Sequence, residues 1–188
     1  MACAESMQAI VAEPLDYLHS QRLFVPAQFR GPEARQVLNR IVLDGLQLQS
    51  TWPPVALSAV ARQWVLHWRQ LPRIAGLMGA WRLMPELTRG GALLRFPLSM
   101  RRFASCSLSV RSALPIDCPV ISMQVVEAAG LNALCSWHEQ VPALLIERLF
   151  LQFSPTVVRL YEQWPLAKPD PALFHMAVQH ARLYPNPD

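Results

Sequence analysis

Seventeen prolines are scattered through the 188 residues of this chain, against only seven glycines. Inside a helix a proline removes one backbone donor and drives its ring into the preceding turn, whereas at the first helical position it is tolerated. A chain punctuated in this way is expected to fold into short, frequently interrupted helices. The apolar pattern agrees. In PEARQVLNRIVLDGLQLQ the residues Val37, Leu38, Ile41, Val42 and Leu46 recur at three- and four-residue steps, with Arg35, Asn39 and Arg40 opposite. A second helix is expected from about residue 55 to 71, with Trp64, Val65, Trp68 and Leu71 on its buried stripe. Pro72 then interrupts, and Ile74, Leu77, Met78 and Trp81 resume the spacing, which predicts a kinked pair. Gly76 and Gly79 are poor helix formers and make most sense where another backbone approaches closely.

Further along, Pro85 opens a short helix that Gly90 and Gly91 end, and residues 97–111 read as helix. Pro115 and Pro119 bracket a loop, and Trp52-Pro53-Pro54 marks an earlier stop. VISMQVV, at 120–126, is the one strand candidate, because it is rich in β-branched residues. Helices follow at 126–138, 142–152 and 155–163, and a Pro-rich connector leads to PALFHMAVQHARLY. There Leu173, Phe174, Ala177, Val178 and Ala181 form the buried stripe. The fold class is mainly α: one irregular multi-helix domain over 13–186 with at most a minor strand element. Residues 1–12 form an N-terminal segment with room for flexibility.

Apolar residues make up 52% of the chain and charged residues 16%, which argues against disorder and for an apolar surface that partners cover. The start has acidic residues and no basic segment, and no apolar run approaches the roughly 20 residues of a membrane span. A soluble cytoplasmic protein without direct membrane insertion is the expectation. Charge is unevenly spread. Residues 62–111 hold nine arginines and one acid, Glu86, for +8 within a chain total of +4. Such a segment suits an acidic partner, and equally a solvated face.

Catalytic motifs are missing. There is no Gly-rich phosphate loop, HExxH, GxSxG or CxxC, so no enzyme, cofactor or metal is expected. Cys3, Cys106, Cys118 and Cys135 lack zinc-type spacing and read as free thiols. His175 and His180 stand five residues apart, off the shared face of an i, i+4 metal pair. Cys135 and His138 lie one turn apart with no third orienting group. Trp64, Arg69, Arg73, Trp81 and Arg82 interleave aromatic and basic residues, so a helical nucleic-acid-binding or regulatory protein is the alternative.

The stretch RQWVLHWRQLPRIAGLMGAWRLMPELTRGGALL, at 62–94, resembles the central signature of the OrgA/MxiK proteins, the SctK class of type III secretion. The matching features are Trp68-Arg69-x-Leu71-Pro72, Leu77-x-Gly79, and Gly91 with the three residues after it. EPLDYLHSQRL at 13–23 and AVQHARLYPN at 177–186 resemble the family's entry segment and terminal helix. This resemblance implies a cytoplasmic adaptor of the injectisome, required for protein secretion and virulence, at the inner-membrane face of the apparatus. Its implied partners are the cytoplasmic domain of an SctD/PrgH-type inner-membrane ring protein and an SctQ/SpaO-type pod protein of the sorting platform. It implies no nucleic acid and no catalytic residue. The arginines offered to those partners are Arg69, Arg73, Arg82, Arg89, Arg101 and Arg102.

Overall fold

The computed structural model describes residues 2–52, 56–108 and 120–185. Pro53, Pro54, Arg111, Pro115, Cys118 and Pro119, on which expectations above rest, lie outside them. Among the described residues the chain forms ten α-helices and no strand. They are α1 (Ala2–Ala12), α2 (Pro32–Gly45), α3 (Ala59–Leu66), α4 (Leu71–Arg82) and α5 (Met84–Thr88). Then come α6 (Leu98–Ala104), α7 (Met123–Cys135), α8 (Ala143–Leu151), α9 (Pro155–Glu162) and α10 (Pro171–Leu183). Short 3-10 turns sit at Pro14–Asp16, Ala27–Phe29, Trp68–Gln70 and Arg89–Arg95.

The prolines start helices rather than bend them. Pro32, Pro72, Pro85 and Pro171 occupy the first turns of α2, α4, α5 and α10. Pro97 and Pro142 cap α6 and α8, and Pro155 is the first residue of α9. The expected pair around Pro72 is therefore two separate helices. The first is shorter than expected, because α3 stops at Leu66 and a 3-10 turn carries the chain to α4. The strand candidate at 120–126 is overturned: Ser122 accepts a hydrogen bond from the Val125 amide and caps α7, so the valines enter a helix. Apolar runs this short carry no period of their own, and the cap decides.

The chain packs as two compact units, each assembled from two stretches. Unit 1 comprises Met1–Arg69 with His138–Pro155, and unit 2 comprises Gln70–Trp137 with Thr156–Asp188. The division falls inside the stretch that reads from sequence as one domain. In unit 1, α1 belongs to the packed body, since its last turn buries Ile10 and Val11. Arg148 of α8 is fully buried there and donates to the carbonyls of Val11 and Gln49, which joins α8 to α1 and to the segment after α2. Tyr17 donates to the Ile10 carbonyl at 2.8 Å and stands edge-on to Trp68, with ring centroids 5.4 Å apart.

Unit 2 is built around α4, in which every residue from Ile74 to Arg82 is buried. Its principal neighbour is α7, and the two helices touch backbone to backbone. A Cβ on Gly79 would lie 1.9 Å from the Val126 oxygen, and one on Gly130 would lie 1.8 Å from the Ala75 oxygen. Only residues without a Cβ permit that approach. At Gly76 the neighbour is a side chain instead, the Met100 methyl at 3.2 Å. α5, α6 and the segment between them complete the core through Leu87, Ala104 and Phe96, which pack with Val125, Val126 and Ala129 of α7. α10 buries Leu173, Phe174, Ala177, Val178 and Ala181, the full stripe expected.

Candidate interaction surfaces

The six arginines singled out from sequence fall into different environments. Arg82 is the clear correction. It is 6% exposed, and its Nη1 donates to the Ala129 carbonyl and the Asn132 Oδ1, each at 3.0 Å. Burial pushes the guanidinium down to about 10, so it remains a cation at neutral pH, held by oxygen dipoles within unit 2. Its helical position is off the apolar stripe, yet α4 is surrounded on all sides and even that face is covered. Arg69 and Arg35 both pair with the Asp16 carboxylate in unit 1. Arg73 donates to the Pro185 carbonyl just beyond α10, in unit 2.

The remaining three lie close in sequence to a fourth, Arg95. Arg89 and Arg95 open and close one 3-10 turn, and Arg101 and Arg102 lie on α6. Arg89, Arg95 and Arg102 are exposed and Arg101 is half-buried. Between Glu86 and Asp117 the sequence has no acidic residue. Leu94, 74% exposed, and Leu98 lie between these arginines in the sequence, and Gly91 turns the chain there with a φ of 69°. From Arg89 to Arg102 the chain thus runs as a basic ridge along the sequence, with cations interspersed among exposed apolar side chains, the composition of an interface rim around a few apolar contacts.

The other signature residues pack inside their own units. Trp68 is buried in unit 1, whereas Leu71, Leu77 and Gly79 are buried in α4 and Pro72 is half-buried at its start. Trp64 and Trp81 are buried too. The aromatic–basic interleaving that suggested nucleic acid thus supplies no stacking platform at these positions. Cys135, buried, has its thiol pushed up to about 12 by burial, against a smaller opposing hydrogen bond with Tyr161. No group of three His, Cys, Asp or Glu residues among the described residues could hold a metal ion. No helix among them is long and apolar enough to cross a membrane.

One surface was missed by the sequence. Part of the stripe assigned to the core of α2 faces outward: Val37 is 60% exposed and Ile41 57%, and Leu46 just past the helix is exposed too, whereas Leu38 and Val42 are half-buried. The inner face is Arg35, Asn39 and Leu43. Asn39 is buried because its Oδ1 accepts the Leu15 amide at 3.0 Å, and Arg35 on the same face reaches Asp16. Those two polar anchors rotate the helix. Beside the exposed face runs a groove of ≈ 480 Å³, lined by Leu18, Gln21, Leu23, Ile41, Val42, Gly45, Leu46, Leu151 and Pro155. Arg22 also lines it, with Nε donating to the Phe153 carbonyl at 2.8 Å and Nη2 to the Phe150 carbonyl at 3.0 Å. Burial lowers its pKa.

Comparison with known proteins supplies the frame. The family described as bacterial type III secretion apparatus protein (OrgA_MxiK) matches residues 7–183. The chain is 32% identical over 184 residues to the oxygen-regulated invasion protein OrgA of three Salmonella typhimurium strains, covering 95% of this chain and 88% of the relative. No solved structure matches. By both extent and identity, the chain belongs to the OrgA/MxiK family of bacterial type III secretion apparatus proteins.

Proposed function

We propose that this protein is a stoichiometric, non-enzymatic adaptor at the cytoplasmic base of a type III secretion apparatus. It bridges the cytoplasmic domain of an SctD/PrgH-type inner-membrane ring protein and an SctQ/SpaO-type pod protein of the sorting platform. The observation that carries the reading is the chemical contrast between the two units. Unit 1 contains seven basic and seven acidic residues and exposes an apolar helix face. Unit 2 contains ten basic and six acidic residues and exposes the arginine ridge. A bridge needs two surfaces that do not compete for the same partner, and these differ in kind. Affinity would come from the apolar contacts, with charge setting register and association rate.

The ridge is tested by Arg101→Glu with Arg102→Glu. Both residues lie on α6 and neither has a carboxylate partner among the described residues, so the fold should survive reversal. Purified double mutant and wild type are titrated against each partner across a salt series, with melting temperature as the control. Weaker binding to one partner, with the loss largest at low ionic strength where screening is least, is expected. Equal affinities for both partners at low salt would return these arginines to a solvated face. Salt-dependent DNA binding lost in the double mutant would favour the nucleic-acid alternative.

A further inference from the structure

We infer that the groove beside α2 is the seat of an amphipathic helix from an apparatus partner, one that brings a carboxylate to Arg22. The inference rests on the adaptor reading above and deepens it, by giving one surface its occupant. Three features point there. The first is shape. Val37, Ile41 and Gly45 succeed one another at four-residue steps along α2, and a Cβ on Gly45 would meet nothing within 4 Å. An exposed row of this spacing, ending in a residue with no side chain, presents a ridge and a notch to the ridges of another helix. Helix-in-groove recognition uses apolar anchors at the same three- and four-residue intervals.

The second is the apolar surface itself. Val37, Ile41, Leu46 and Leu23 are exposed on or near this groove, and Phe24 is 78% exposed next to Leu23 in sequence. Single exposed apolar residues need no explanation, but Leu23, Ile41 and Leu46, exposed together on the wall of one concavity, mark an interaction site. The third is charge. Arg22 is the one charged residue lining the groove, and no carboxylate pairs with it among the described residues. Two of its donors are used on the carbonyls at the end of α8, a helix C-terminus that itself favours a cation. The others are left for a group brought from outside. A partly desolvated guanidinium in an apolar wall selects a carboxylate, because a charge-assisted, bidentate pair is the contact its fork fits best. A second copy of this chain would bring the same cation and no lining acid, so it is the poorer occupant.

Two variants leave the fold alone. Gly45→Leu fills the notch in open space, and Ile41→Asp places an acid on an exposed position. The probes are the purified ring-protein cytoplasmic domain and the purified pod protein. We expect each variant to weaken binding to one of them by about tenfold or more, as for a central apolar anchor, with an unchanged melting temperature. A photo-crosslinking amino acid at Ile41, in full-length protein inside intact bacteria, reads the occupant directly. A crosslinked peptide from a helix bearing an acidic residue supports the inference, and exchanging that acid for arginine should rescue Arg22→Glu. Crosslinks to a second copy, to this chain itself, or to nothing overturn it. So does unaltered binding of both probes by Gly45→Leu, and in that case the adaptor reading stands. Failure of wild type to bind either probe, with the crosslink falling on an acidic helix of another apparatus protein, sinks the ring-to-pod bridging reading and leaves the groove assignment intact, whereas a crosslinked helix from outside the apparatus overturns the inference.

Discussion

Gly76 and Gly79 show how differently two glycines of one helix can be constrained. At Gly79 a Cβ would sit 1.9 Å from a carbonyl oxygen and 2.9 Å from the Gly130 amide nitrogen, both backbone atoms of α7. Neither can move without displacing the helix. Gly79→Leu should therefore cost more than the ~1–3 kcal/mol usual for overpacking, and even Gly79→Ala should lower the melting temperature clearly. At Gly76 the nearest atom is a flexible methionine methyl at 3.2 Å. Gly76→Ala should be neutral or stabilising, because the better helix former offsets a small shift of Met100. Thermal melts of the three variants decide this. Equal losses at both positions would show that the α4–α7 contact is not the constraint.

Among elements, α10 and α2 mark the two ends of what a periodic pattern can tell. The α10 stripe is buried as its spacing implies, and the helix is started by Asp170, whose side chain accepts the Leu173 amide at 2.9 Å. α7 is started in the same way by Ser122, but its bond to the Val125 amide is 3.4 Å long. Asp170→Ala should thus destabilise by about 1 kcal/mol and Ser122→Ala by less. The aspartate also adds a negative charge at the positive end of the helix dipole. Chemical denaturation of both variants measures the order, and a larger loss for Ser122→Ala would contradict it. In α2 the Val37 and Ile41 side of the same kind of stripe points to solvent. A single buried asparagine and an ion pair outweigh its apolar side, since an unsatisfied buried amide costs about 1–3 kcal/mol.

Across the whole molecule, the +4 charge resides in unit 2 alone, because the basic and acidic residues of unit 1 are equal in number. Substitutions in the two candidate surfaces belong to different units and share no partner atom. Combining Ile41→Asp with Arg101→Glu and Arg102→Glu should leave the ΔΔG of unfolding additive to within ~0.5 kcal/mol. Strong non-additivity in denaturation would mean that the surfaces are coupled. Salt should discriminate as well, since reversal on the ridge is screened at high ionic strength while loss of an apolar anchor is not.

The helical class, the positions of α8 to α10, the close approach at Gly79 and the family were legible in the chain, whereas the first turn of α7 read as a strand. Proline at first helical turns, three- and four-residue apolar spacing, and glycine inside an apolar helix are local signals whose physics acts within a few residues. What faces what was not local. Arg82 reads as a surface arginine until α7 supplies the Ala129 and Asn132 oxygens that hold it. Three of six arginines leave the free basic set for that reason or for Asp16 and Pro185. The Leu15 amide and the Asp16 carboxylate hold α2 by its polar side, which leaves Val37 and Ile41, two residues that sequence alone would bury, exposed. Periodicity defines the two faces of a helix, and only the tertiary partners of its polar residues choose which one meets water.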